Sequence, residues 1–134
     1  MLQQTEIGTE SIKVTSIFAQ AIYVADLEQS LRFYCDLLGF TKSNSMGESG
    51  SFLALGENSR AVYLEGGHPA TEPDSNRSAV SFMMCVPDVK AAFEALKSSG
   101  VQMVQSDPVD MGEGAFWFQF FDPSGNLLEI VSAP

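Results

Sequence analysis

The chain runs through one pattern twice. Val24-Ala25-Asp26-Leu27 and Val86-Pro87-Asp88-Val89 each join the end of an apolar, strand-like run to the start of an amphipathic helix. After the first, Leu27, Leu31, Tyr34 and Leu38 fall at i, i+4, i+7 and i+11, with Phe33 and Leu37 widening the stripe. After the second, Val89, Ala92, Phe93 and Leu96 share one helical face. Asp26 and Asp88 supply the carboxylate that an N-cap needs, and Gly39 and Gly100 each stop a helix. Further on, Gly56 to Leu64 aligns with Asp122 to Ile130. Each half reads strand–helix–strand–strand–strand, and a repeat of this length decides the architecture. The expected fold is α+β, built from two βαβββ modules.

The boundaries follow. Residues 1–15 are polar and weakly patterned and read as a flexible N-terminal arm. A first module spans 16–65, with strands expected at Ile17 to Val24, Phe40 to Asn44, Ser51 to Leu55 and Ala61 to Glu65. Residues 66–78 hold two glycines, two prolines and the only histidine, His68, and read as a linker. The second module, 79–134, has strands expected at Ala79 to Val86 and Val101 to Gln105, then a loop from Ser106 to Gly114. A hairpin closes it, turning at Asp122-Pro123-Ser124-Gly125-Asn126, where proline sets φ and glycine supplies φ > 0. The strand leaving this turn carries one acid, Glu129, in an apolar run. Such a carboxylate turns to solvent, is buried at a cost, or is a ligand.

Composition narrows the function. At 134 residues the chain has room for one core. No apolar run is long enough to span a membrane, and no basic-then-apolar leader is visible. Seventeen acidic residues against seven basic ones leave a net charge of −10, which lacks the basic footprint of a nucleic-acid or anionic-membrane binder and mildly favours cationic ligands. Two cysteines, Cys35 and Cys85, make no disulfide framework, so a reducing cytoplasm is expected. With no histidine near either in sequence, both read as small apolar fillers rather than catalytic thiolates.

Asp26 to Phe40 resembles the first-helix signature of the vicinal oxygen chelate superfamily, and Asp122 to Glu129 resembles its closing signature. That group contains glyoxalase I, bleomycin-resistance proteins, fosfomycin-resistance enzymes and extradiol dioxygenases. The resemblance covers roughly residues 17–132. It implies two curved sheets forming a cleft with helices packed outside, and a homodimer. Its enzymes hold one divalent metal with His, Gln or Glu from the first and last strands of each module. The corresponding positions here are Ala19, Tyr63, Ser81 and Glu129. Three of the four have lost the ligand, so no metal or other cofactor is expected. Gln20 and Glu65 would reach the cleft only through a one-residue slip of register, which turns every side chain to the other face. His68, alone in the linker, reads as solvated.

Strand alternation gives a lining list. Ile22, Val24, Val80, Phe82, Met84, Val86, Phe116, Phe118, Phe120, Leu128 and Ile130 are assigned to the helix-packed faces. The cleft is expected to receive Ala19, Ala21 and Tyr23; Ser51, Leu53, Leu55, Ala61 and Tyr63; Ala79, Ser81, Met83 and Cys85; and Trp117, Gln119, Phe121, Leu127, Glu129 and Val131. Tyr23, Tyr63, Trp117 and Phe121 would stack a flat ligand. Two readings stay open. One is a metal-free binding protein for a small aromatic or cationic molecule, similar to the bleomycin-resistance branch. The other is a metal-dependent lyase, isomerase or dioxygenase using Glu129. A third, plainer possibility is that the rings simply fill the cleft as core.

Overall fold

The computed structural model describes residues 12–76 and 78–133. The first module comprises β1 (Gln20–Tyr23), α1 (Leu27–Leu31), a π-helical turn (Arg32–Leu37), β2 (Thr41–Met46), β3 (Gly50–Leu55) and β4 (Asn58–Glu65). The second comprises β5 (Val80–Val86), α2 (Val89–Ser98), β6 (Val109–Gly112), β7 (Ala115–Phe121) and β8 (Leu127–Ser132). The sheets have the orders β1-β4-β3-β2 and β5-β8-β7-β6, and in each the first strand lies parallel to the last. The expected α+β arrangement of two βαβββ units is therefore the one observed. Of the arm expected over residues 1–15, the first eleven lie outside the described residues, as does Pro134.

The caps act where the sequence placed them. The Asp26 carboxylate accepts from the Gln29 amide at 3.1 Å, and Asp88 accepts from Ala91 at 3.0 Å. The first helix then departs from expectation. Past Leu31 it widens into a π turn, with the Leu38 amide donating five residues back to Phe33. The wider turn lets the consecutive residues Phe33 and Tyr34 both enter the core.

Two strand expectations need correction. Residues 12–19 take no regular structure, so β1 begins at Gln20 rather than Ile17. In the second module Val101 to Gln105 is not a strand of its own. It touches β7 through one bridge, Met103 to Phe120, and two backbone hydrogen bonds, while the ladder strand is β6, inside the expected loop. Pro108, which has no N–H to give, separates the two stretches, and each covers a different part of β7.

One core joins the modules. Ile22, Val24, Val62 and Leu64 of the first sheet and Phe118, Phe120, Leu128 and Ile130 of the second are buried in it with Phe33, Tyr34, Phe93 and Leu96. The Phe33 and Phe120 rings meet across the seam at 6.3 Å. A buried polar clamp lies beside them. The Tyr34 hydroxyl donates to Asp122 Oδ2 at 2.7 Å, and Asp122 also accepts from the amides of Ser124 and Asn126 and from the Asn126 side chain, each at 2.9 Å. The same turn reaches β1: Asn126 Nδ2 donates to the Tyr23 carbonyl at 3.0 Å, and Ser124 Oγ accepts from the Ala25 amide at 2.9 Å. Gly125 has φ 87°, and a side chain there would run into the Thr71 carbonyl, so the linker lies directly on the turn.

Burial and Asp122 together hold the Tyr34 phenol well above its ordinary pKa, so it stays a donor. Tyr34→Phe should lower unfolding free energy by about 1–3 kcal/mol, the cost of a hydrogen bond to a charged group. Asp122→Ala should cost more, because it also orphans the buried Tyr34 hydroxyl. Denaturant melts of the two single variants and the double variant measure the coupling.

Candidate functional site

Side chains on the sheet faces away from the core are open: Tyr23 is 59% exposed and Met83 60%. The first-module face centres on Glu65. The Tyr63 hydroxyl donates to Glu65 Oε1, and Ser49 Oγ donates to Oε2 at 2.6 Å. Those two hydrogen bonds hold the Glu65 carboxyl below the usual glutamate range, with the charge on His68 adding to the effect against a smaller desolvation penalty. The bond to Glu65 in turn pushes the Tyr63 phenol up. Tyr23 is the register partner of Glu65 on β1, and His68 lies over the Tyr23 ring with centroids 4.4 Å apart. On the other flank the partner is Gly50, and a side chain there would occupy the place of the Tyr63 phenol. Phe52 packs on Tyr63 at 4.8 Å, and Phe18 meets Phe52 edge-on while carrying the Arg60 guanidinium at 4.5 Å.

The second-module face is a row of amides and one acid. Gln119 Nε2 donates to Glu129 Oε1 at 3.0 Å. Gln105 Nε2 donates to Gln119 Oε1 at 3.2 Å, and the Gln119 amide donates to Gln105 Oε1 at 2.7 Å. Met83 sits opposite Glu129 on β5, while Cys85 and Trp117 flank Val131 from its two sides. Trp117 has no ring partner among the described residues.

The structure thus brings together Tyr63 with Glu65, Tyr23 with His68, and Gln119 with Glu129. Among the described residues no hydrogen bond or ring contact joins the first-module group to the second-module group within one chain. Ser81 lies where the β5–β8 pairing shifts register, between Val80 and Met83. Several sequence expectations are corrected. Glu65 needs no slip: it follows Tyr63 by two residues and shares its face, as alternation requires. Gln20, by contrast, stays where alternation put it, off the cleft and paired with Val62. His68 is exposed, as expected of a solvated linker residue, and its ring in addition lies against Tyr23. Ser51, Leu53 and Leu55 do not line the open face. Leu53 pairs with Val62 and is fully buried, and the open face of β3 carries Gly50 and Phe52. Phe121 is only 6% exposed, at the covered turn end of β7.

Ser49, Phe52 and Gln105 were missed. Phe52 could have been found by pairing β3 against β4 in register. Ser49 and Gln105 lie outside the strands and carried no signal. A cavity of about 360 Å³ lies between Leu37, Leu38, Phe40 and Val62 of one module and Phe82, Met83, Met84, Cys85, Leu96 and Ile130 of the other. None of the hydrogen-bonded polar groups above lines it. The Cys35 thiol, part-buried and beside Asp36, is pushed up by both influences, burial first, which keeps it a thiol.

The donor set at the four family positions does not suit a divalent ion within one chain. Ala19 has no donor atom, the Tyr63 hydroxyl is given to Glu65, and Ser81 offers a neutral hydroxyl, leaving one carboxylate where such ions take four or more ligands. Among the described residues no three His, Cys, Asp or Glu side chains gather as a metal requires. No described helix is long and apolar enough to cross a membrane.

The two modules and their signature turn agree with known proteins. The model of the Glyoxalase/Bleomycin resistance protein/Dioxygenase superfamily matches residues 16–130, and the chain belongs to that superfamily. It is 30% identical over 131 residues to the uncharacterized protein YurT of Bacillus subtilis, covering 90% of this chain and 97% of the relative. It is 28% identical over 118 residues to a probable lactoylglutathione lyase of Synechocystis, covering 82% and 89%. The crystal structure of TnmS3, an antibiotic binding protein from Streptomyces, superposes with a TM-score of 0.69 at 20% identity, covering 92% of this chain and all of that one. This last likeness shows the fold alone.

Because the Tyr63 hydroxyl helps to lower the Glu65 pKa, Tyr63→Phe should raise it towards the ordinary glutamate value. The sign is fixed: a depressed acid stabilises the fold above its unfolded pKa, and that contribution is lost as pH falls through the folded value. In the variant the loss should begin at higher pH. A carboxyl-carbon NMR titration of Glu65 reads it directly.

Proposed function

We propose that this member of the superfamily is a metal-free binding protein for a small, flat and positively charged molecule. The observation that carries the reading is the fate of the family's metal positions: Ala19 has no donor atom, Ser81 offers only a neutral hydroxyl, Tyr63 gives its hydroxyl to Glu65, and the one carboxylate, Glu129, takes the Gln119 amide. What remains on the open faces suits ring recognition. Trp117 and Tyr23 present aromatic surface, Met83 and Cys85 add soft apolar contact, and each stacked ring is worth about 0.5–1.5 kcal/mol beyond its burial. The acidic balance of the whole chain supports a cationic ligand. That the structural relative TnmS3 is an antibiotic binding protein agrees with a binding role. Two cysteines without a disulfide framework fit a reducing, cytoplasmic setting.

The faces of one chain do not close on each other, so the partner that completes the cleft in this reading is a second copy. Light scattering on the eluting protein should give twice the chain mass. A monomer with unchanged ligand affinity would remove the second copy from the reading.

The central test is elemental analysis of the purified protein, before and after reconstitution with Zn, Ni, Mn and Fe(II), beside Glu129→Gln. The expected result is no stoichiometric metal in either, and saturable quenching of Trp117 fluorescence by flat cationic compounds. A stoichiometric metal in the wild type that is lost in Glu129→Gln would replace this reading with a metal-dependent lyase, isomerase or dioxygenase.

A further inference from the structure

We infer that Glu65 is the anchor for a protonated amine on the ligand, with Tyr23 and Tyr63 forming the walls around the nitrogen. The inference deepens the proposed binding role and rests on it. It places the charge-reading acid outside the family's ligand row, to which Glu129 belongs.

Four observations carry it. First, Glu65 is built in from both sides, with one carboxylate oxygen taking the Tyr63 hydroxyl and the other taking Ser49 Oγ at 2.6 Å. Both donors are neutral, so they orient the carboxylate without cancelling its charge, and each oxygen keeps accepting capacity. Second, no cation of the described residues pairs directly with that charge: His68, which acts on it through space, lies over the Tyr23 ring. The Arg60 guanidinium, five residues back along β4, lies over the Phe18 ring. Third, the flanks are aromatic. Tyr23 is the cross-strand partner of Glu65 and is backed by His68, and Tyr63 reaches over from the other side across Gly50, whose missing side chain makes the room. A cation held over ring faces gains about 0.5–2 kcal/mol according to how far it is desolvated. Fourth, Glu129 is differently placed. Its one donor is the amide of Gln119, itself tied to Gln105, and its cross-strand partners are Met83 and Gln119, so this acid stands beside an amide and a thioether rather than among rings. The two faces then divide the work: an acid among rings in the first module takes the nitrogen, and Trp117 in the second takes the flat part.

The test compares 2-naphthylethylamine with its neutral counterpart 2-naphthylethanol, by calorimetry on the full chain. The wild type should bind the amine about tenfold tighter or more. Glu65→Gln should bring the two affinities within about twofold of each other. A second readout uses the unaltered protein: the Glu65 carboxyl carbon should shift in NMR on saturation with the amine and stay in place with the alcohol. Equal affinities in the wild type, a preference that survives Glu65→Gln, or a shift at Glu129 in place of Glu65 would each overturn this inference while leaving the binding role standing. Failure of both compounds to bind would overturn the binding role and this inference together.

Discussion

Asp122 is the residue on which the arrangement of the two modules turns. Its buried carboxylate gathers a phenol from the first helix, two amides of its own turn and the side chain of Asn126. A buried charge is costly unless hydrogen bonds replace its lost water, and here four do. Because Tyr34 belongs to one module and Asp122 to the other, satisfying the charge fixes how the modules meet. Ser124 and Asn126 extend the clamp to the end of β1, and Gly125 lets the linker lie flat on the turn. The two sequence signatures are thus halves of one contact, which gives a physical reason for finding them together.

The clamp also positions the open faces. By holding the Tyr23–Ala25 segment it fixes the end of β1, and with it the Tyr23 ring beside Glu65. Core packing does the rest. Leu53, Val62 and Leu64 must be inside, so Phe52, Tyr63 and Glu65 must be outside, since alternation leaves no other choice. The polar chemistry of the first-module face is therefore a consequence of core register. The second module follows the same logic through Phe118, Phe120, Leu128 and Ile130, which turn Gln119 and Glu129 outward.

Pseudo-symmetry makes the differences between modules informative. Tyr63 and Glu129 occupy matching rows, as do Gly50 and Trp117, each the cross-strand partner of the residue two places further on. In one module a tyrosine reaches across a glycine to an acid; in the other an acid takes an amide beside a tryptophan. The scaffold is repeated and the surface chemistry is not. This fits a fold whose frame is set by buried contacts and whose ligand preference is set by a few outward positions.

Much of this was legible in the chain. The repeated Val-x-Asp junctions, the helix stripes and the Asp122–Asn126 turn determined two βαβββ modules, because caps, periodicity and turn chemistry act between residues close in sequence. That Gln119 and Glu129 share one face also followed from strand alternation in the closing hairpin. Other features needed the tertiary structure. The π turn at Arg32–Leu37, the loss of a strand at Val101 to Gln105 and the inward turn of Leu53 depend on what packs against them, and local pattern does not carry that. So do the partners of Glu65, because Ser49 and Tyr23 reach it from another hairpin arm and another strand. Sequence determines which residues alternate along a strand. Which face is buried, and which distant side chains then share the open one, is decided only when the sheets pair and the core closes.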